Sequence, residues 1–235
     1  MPSISAILFD AGGTLVQGAM PWWDFYALAL QLTRHPMPLR DMVVAYETAI
    51  HRMVQERQSA VTARPGAAPG LNAYLAKEFG LSQSRLQQAL DEVLYDRPEA
   101  RRMVCIDGAK EVLAELKRRG YRLAVVSNWA CDLPDSLALL GLDEYLEAVF
   151  ASETLGFSKP SNAAFLLPLD RLGLVAASAA YVGDLYDVDI WGASRVGLTP
   201  VLFDPLQLRL HPDVRSVASL WQLLDLFKSP RLPVA

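Results

Sequence analysis

Five short apolar runs, alternating with helix-like segments, constrain this chain more than any other feature. They are Ile4–Phe9, Tyr121–Val126, Ala148–Ala151, Ala179–Val182 and Thr199–Phe203. A short, nearly continuous apolar run ended by turn residues is how a strand buried on both faces of a parallel sheet reads. Between the runs lie amphipathic segments with stop signals. One is capped by Asp107 and runs through Arg119 to Gly120. Leu133–Leu140 ends at Gly141, Asn162–Leu172 at Gly173 and Val188–Val196 at Gly197. Strands alternating with helices imply right-handed crossovers, so the expected fold is α/β with a doubly wound parallel sheet. Ser216–Phe227 reads as a terminal amphipathic helix, and the Pro-containing tail Ser229–Ala235 as frayed.

One block breaks the alternation. From Pro21 to Arg102 the apolar positions recur at helical spacing: Trp22, Phe25, Tyr26, Ala29 and Leu32; Met42, Tyr46, Ala49, Ile50 and Met53; Leu71, Tyr74, Leu75 and Phe79; Leu86, Leu90, Val93 and Leu94. Breakers at His35–Pro38, Arg64–Gly70 and Arg97-Pro98 separate them into three or four helices. The expected organisation is an α/β core of residues 1–16 and 105–235, with a helical domain inserted at 17–104.

Composition removes several classes. Of 235 residues, 52% are hydrophobic and 20% charged, the profile of a folded chain rather than a disordered one. A net charge of −4 with no dense Lys/Arg run speaks against nucleic acid as a partner. MPSISAILFD has no positive leader, and no uncharged apolar run approaches the roughly 18 residues a bilayer requires. No membrane association is expected, and the expected location is the cytoplasm, with Cys105 and Cys131 as free thiols. Oligomeric state is not legible.

In open parallel sheets ligands bind outside the carboxyl ends of the strands. Those ends carry the polar residues here. Asp10 and Thr14 follow the first run, Ser127 and Asn128 the second, Lys159 the third, and Asp184, Asp187 and Asp189 the fourth. Each has a plain alternative: a turn-starting Asp, a helix N-cap, a solvated Lys-Pro loop. Together they suit a divalent cation and a phosphate. Hard oxygen ligands select Mg²⁺, a Lys neutralises a phosphoryl group, and a carboxylate held beside both can attack phosphorus.

The ordered set is similar to the four motifs of the haloacid dehalogenase-like (HAD) hydrolase superfamily, over about residues 4–16 and 105–205. Asp10, Gly12 and Thr14 in "FDAGGTL" stand where the family has Asp-x-Asp-x-Thr. Ser127 in "VVSNW", Lys159 in "SETLGFSKP", and Asp184 with Asp189 in "YVGDLYDVDIWGA" stand in the other three. The helical block sits where the family's C1 cap sits. The resemblance implies Asp10 as nucleophile and Mg²⁺ ligand, with Asp184 and the Gly12 carbonyl as further ligands. Lys159 is implied to take part in catalysis. Thr14, Ser127, Asn128 and Lys159 would contact a small phosphorylated substrate, and Asp189 would support Lys159 and the metal's water shell.

Gly12 departs from that pattern. The family's phosphatases carry a second Asp there, which protonates the leaving oxygen and then activates water. Its loss predicts a cost of about 10²–10⁴-fold in rate, and predicts that Gly12→Asp raises phosphatase activity. A slow or selective phosphatase is one reading, acting best on acyl or aryl phosphates whose leaving group needs little protonation, or using water or a cap side chain (His35, His51, Arg34, Arg52, Arg57 or Arg64) in place of the missing acid. A different hydrolysis is another. Dehalogenases of the superfamily carry Tyr at this position and an Arg shortly after, where Gln17 and Gly18 stand here. Phosphonatases need a cap lysine, for which Lys77 is the candidate. A third is a binding or scaffold protein without turnover. Trp22, Trp23 and Tyr26 could face substrate or form cap core.

Overall fold

The computed structural model describes residues 4–59, 70–208 and 210–228. The chain divides into two compact units, Met1–Val16 with Cys105–Ala235, and Gln17–Val104.

The first unit is built on β1 (Ala6–Phe9). The chain then passes β2 (Val16–Gly18), which pairs with β3 (Met103–Cys105) beyond the second unit. Between them the second unit contributes α1 (Trp22–Leu32), α2 (Leu39–Ser59), α3 (Leu71–Glu78) and α4 (Gln83–Asp96). The first unit resumes with α5 (Ala109–Arg118), β4 (Arg122–Ser127), α6 (Leu133–Leu139), β5 (Ala148–Ala151) and the single turn α7 (Ser152–Leu155). It ends with α8 (Asn162–Arg171), β6 (Ala179–Gly183), α9 (Trp191–Arg195), β7 (Thr199–Phe203), β8 (Ser216–Val217) and α10 (Leu223–Leu226).

The sheet order is β5-β4-β1-β6-β7-β8, with every pair parallel. Chain order therefore reverses between β1 and β6, the topological switch point where doubly wound sheets open a crevice at their carboxyl ends. Side chains alternate across the sheet. Leu8, Val126 and Tyr181 pack against Phe165, Leu169 and Ala193 of α8 and α9. In register, Phe9 lies level with Val125 on one side and Val182 on the other. Asp10 thus emerges between two strands whose next residues lead to Ser127 and Asp184.

Three expectations need correction. Asp107 does not cap α5. Gly108 is the residue before the helix, at φ +78°, and Asp107 Oδ2 instead accepts from Trp221 Nε1 at 3.0 Å. A Cβ at Gly108 would stand 2.6 Å from that indole nitrogen, so ring packing sets this terminus. Ser216–Phe227 is not one helix. Ser216 and Val217 extend the sheet beside β7, then Ser219 Oγ caps a 3₁₀ turn at Leu220–Gln222 before α10. Its apolar residues Leu220, Leu223 and Phe227 are nevertheless buried. The segment expected as a helix from Val188 begins instead as a π-helical turn over Tyr186–Ile190, a form that recurs at functional sites.

In the second unit, Tyr26, Leu30, Met42, Leu75, Leu86 and Leu90 form one core. Tyr26 is core, not a free aromatic face: it is buried, and its hydroxyl donates to Asn72 Oδ1 at 2.8 Å. Trp22 stacks on Tyr46 with ring centroids 4.0 Å apart, and Trp23 packs edge-on against Trp22. Arg52 is paired with Glu78 at 2.8 Å, Arg34 has φ +60°, and His35 Nδ1 lies 2.7 Å from Thr33 O. The Arg57 side chain, Arg64 and the tail 229–235 lie outside the described residues. Among the described residues no helix is long and apolar enough to cross a membrane.

Candidate active site

Six polar or charged residues are buried among the described residues: Asp10, Thr14, Thr33, Ser127, Lys159 and Asp189. Five of them are residues singled out from the strand ends. Buried polar groups cost free energy unless paired, so such a concentration requires a purpose.

Lys159 is the hub. Its Nζ donates to Asp10 Oδ1 at 2.8 Å, Asp189 Oδ1 at 2.6 Å and the Tyr181 hydroxyl at 2.7 Å. An ammonium has three donors, and all three are used. Tyr181 passes its own proton to Val126 O at 2.7 Å, so a phenol buried inside the sheet is satisfied on both sides. Burial alone would lower the Lys159 pKa. The carboxylates of Asp10 and Asp189 outweigh it and raise the ammonium above its ordinary value.

The loop from Asp10 to Val16 sets the position of the Asp10 carboxylate. Asp10 Oδ1 also accepts from Ala11 N at 2.8 Å, and the Asp10 backbone N–H donates to Val182 O at 2.8 Å. Its second oxygen has no protein donor among the described residues. Gly13 turns the loop at φ +80°, and a Cβ there would run into the Asp184 carboxylate. The loop and the end of β6 are in contact only because residue 13 has no side chain. If this cluster holds a divalent cation, Gly13→Ala is expected to lower its affinity by roughly tenfold or more in calorimetric titration, since a displacement costing about 1.4 kcal/mol gives that factor.

Asp10, Asp184 and Asp189 each offer a carboxylate oxygen, all within 4.8 Å of one another. Three carboxylates against one ammonium leave two uncompensated charges when all are ionised. Burial and crowding raise two of these carboxyls. Burial pushes the Asp184 carboxyl well above the carboxylate range, and Asp189 and Asp10 push it further. Asp189 is raised to about 6, by burial first, with Asp10 adding and Lys159 opposing. Such a cluster asks for a hard divalent cation. Asp10 and Asp184 can hold one. Asp189 is committed elsewhere: Oδ1 takes Lys159, and Oδ2 accepts from Leu185 N at 3.0 Å. Gly183 makes room for it, because a Cβ there would stand 2.5 Å from Asp189 Cβ.

Two of the residues expected to contact phosphate have protein partners in this structure. Thr14 is fully buried, and its hydroxyl points to Asp184 Oδ1 at 3.5 Å. It can orient that carboxylate but has no exposed surface to offer a substrate. Asn128 clamps the backbone of Lys159, with Nδ2 donating to Lys159 O at 2.9 Å and Oδ1 accepting from Lys159 N at 2.7 Å. It fixes the lysine loop, which carries a cis Lys159-Pro160 bond. Ser127, by contrast, is buried at the end of β4 with its hydroxyl unpaired among the described residues. It is available to a ligand.

Tyr181 and Trp129 were not singled out from sequence. Tyr181 carried a signal, since a phenol in a strand buried on both faces must find a partner. Trp129 carried none, because its role depends on Gly12, far away in the chain.

Residues 4–197 match the family model described as haloacid dehalogenase-like hydrolase. Over 104 residues the chain is 42% identical to the ribulose-1,5-bisphosphate 5-phosphatase of Halopiger xanaduensis, an alignment covering 44% of this chain and 44% of that protein. Over 202 residues it is 29% identical to the glyceraldehyde 3-phosphate phosphatase of Methanopyrus kandleri, covering 84% of this chain and 83% of that one. The chain spans only about half the length of the first curated relatives it matches, 44% and 53% for the first two. Among solved structures, the 2-haloacid dehalogenase from Pseudomonas syringae pv. Tomato DC3000 superposes with a TM-score of 0.55 at 26% identity, over 96% of this chain and 98% of that one. The matched span takes in β1, the loop bearing Asp10, and the ends of β4 and β6, and the chain belongs to the haloacid dehalogenase-like hydrolase family.

Proposed function

We propose that this protein hydrolyses a phosphate ester of a small metabolite with Mg²⁺ as cofactor, through an aspartyl-phosphate on Asp10. The observation that carries this reading is the cluster itself: carboxylate oxygens of Asp10, Asp184 and Asp189 within 4.8 Å, with the Lys159 ammonium 2.8 Å from Asp10. Asp10, Asp184 and the Gly12 carbonyl are the proposed Mg²⁺ ligands. When bound, the ion supplies charge to neutralise the carboxylates and the incoming phosphoryl oxygens.

The residues divide the work. The Asp10 carboxylate attacks phosphorus, the bond to the leaving oxygen breaks, and that oxygen departs with the electron pair. Lys159 balances the charge on the transferred group, and the unpaired Ser127 hydroxyl donates to one of its oxygens. Water then cleaves the acyl phosphate, releasing inorganic phosphate and restoring Asp10. Asp189, Tyr181 and Asn128 hold Lys159 in place, and Thr14 holds Asp184. Gly12 offers no proton at either step, which makes the enzyme slow or selective. The inserted helical unit is read as the cap that selects the substrate. Sugar phosphates belong in the substrate panel, since relatives bear the names of phosphatases for ribulose bisphosphate and glyceraldehyde 3-phosphate.

Dehalogenation is the second reading, favoured by the absent second Asp and by the solved dehalogenase at 26% identity. One assay separates the two. Sugar, acyl and aryl phosphates are offered with Mg²⁺ and with a chelator, alongside a 2-haloacid. Phosphate release that falls on the order of 10²-fold on chelation supports the phosphatase. Halide release indifferent to chelator would replace it with the dehalogenase, and Mg²⁺ binding without any turnover would leave a scaffold.

A further inference from the structure

Gly12 is not required by its backbone, because its φ lies outside the left-handed region that favours glycine. A neighbour crowds it. A Cβ built on Gly12 would stand 3.1 Å from Cζ3 and 3.8 Å from Cε3 of Trp129. Carbon atoms in good contact sit about 3.5–4.0 Å apart, so even one methyl group is crowded and a longer side chain more so. The six-membered edge of the indole thus lies where a side chain at position 12 would begin.

Trp129 is not loosely hung. Its carbonyl accepts from Ser152 Oγ at 3.2 Å and Glu153 N at 3.2 Å, at the start of α7. It directly follows Asn128, which clamps Lys159, and stands two residues after the unpaired Ser127. The ring is therefore part of the same rim as the phosphate-facing residues. An indole N–H donates a hydrogen bond but does not release its proton at working pH.

We propose that Trp129 occupies the place of the missing proton donor and, paired with Gly12, restricts the site to phosphate esters whose leaving oxygen is weakly basic. Aryl, enol and acyl phosphates are of this class, because their leaving groups depart as stable anions. The selectivity rests on the phosphatase reading above; the crowding of position 12 does not. A direct consequence is that Gly12→Asp alone does not raise activity, against the expectation from sequence, because the carboxylate would meet the ring.

The test is a double-mutant cycle on the full chain with saturating Mg²⁺: wild type, Gly12→Asp, Trp129→Ala and the double variant, with Trp129→Leu in reserve if the alanine variant does not fold. The substrates run from nitrophenyl through phenyl to alkyl phosphate. Wild-type kcat/KM should fall steeply along that series. Gly12→Asp alone should give no gain in the alkyl rate, while the double variant gains on the order of 10²-fold over it and flattens the dependence. A full gain in Gly12→Asp alone, or a wild-type rate indifferent to the leaving group, overturns the proposal. Melting temperature supplies an activity-free readout. Gly12→Ala should lower Tm by roughly 2–4 °C in the Trp129 chain and not in Trp129→Ala. Equal shifts in both backgrounds overturn the crowding. Coupled shifts with no phosphate released by any variant would overturn the selectivity together with the phosphatase reading, and leave only the crowding.

Discussion

Asp10→Asn abolishes turnover while leaving the fold in place. Asn is nearly isosteric, and its carbonyl oxygen can still accept from Ala11 N and Lys159 Nζ, which lie 2.8 Å from Asp10 Oδ1. What is lost is the proposed nucleophile, together with one of the two carboxylates proposed to hold Mg²⁺. Removing a covalent nucleophile elsewhere costs on the order of 10⁶ in kcat, and a loss of at least ~10³-fold is expected here. Tm should change little, because removing one of three crowded carboxylates relieves repulsion as it weakens the pairing of Lys159. Steady-state phosphate release with thermal melting checks both halves. A variant that keeps more than about a tenth of wild-type activity would remove Asp10 as nucleophile.

Lys159→Met produces the opposite pattern, with activity and stability falling together. Lys159 is buried, and its three protons go to Asp10, Asp189 and Tyr181. Methionine fills similar volume but leaves three carboxylates without a counter-charge. Breaking a buried ion pair by removing one partner typically costs 3–5 kcal/mol, so Tm should fall by roughly 6–20 °C for a chain of this size. Phosphate transfer should fall on the order of 10²–10³-fold, the scale of losing one preorganised charge donor. Mg²⁺ should recover part of the lost Tm, since a cation that binds only the folded cluster stabilises it by mass action. It should recover little of the rate. Lys159→Arg is not a rescue, because a planar fork cannot reproduce three converging bonds from a point charge. A stable, active Lys159→Met protein would mean the lysine is an ordinary loop residue.

Asp189 lies beneath Lys159 and, unlike Asp10, is entirely shielded from solvent. Both of its oxygens are spent, on Lys159 and on Leu185 N. It is proposed to act by holding the ammonium together with the Tyr181 hydroxyl, which lies 3.4 Å from Asp189 Oδ1.

Periodicity made most elements of the sheet legible. Ala148–Ala151 and Thr199–Phe203 are strands with the bounds read from sequence. Buried parallel strands are short apolar runs whatever surrounds them, so local composition is enough. Where periodicity failed, a distant contact had intervened. Trp221 set the start of α5, the edge of β7 drew Ser216 and Val217 out of a helix, and Asp189, beyond the end of β6, sits in a π-helical turn with its carboxylate on Lys159. The types and order of Asp10, Ser127, Lys159, Asp184 and Asp189 were likewise legible, because each follows a strand and strand ends face one crevice.

What one side chain does to another was not legible. Thr14 and Asn128 look like ligands in sequence, yet their polar atoms serve Asp184 and Lys159. Nothing near Gly12 in the chain points to Trp129, whose ring crowds it. Strand identity is a property of a few consecutive residues, so the sequence alone determines it. Hydrogen-bond partnership and steric exclusion belong to pairs separated by 31 positions, as Asn128 and Lys159 are, to 170, as Thr14 and Asp184 are, and the parallel register that sets β4, β1 and β6 side by side helps to bring those pairs within reach.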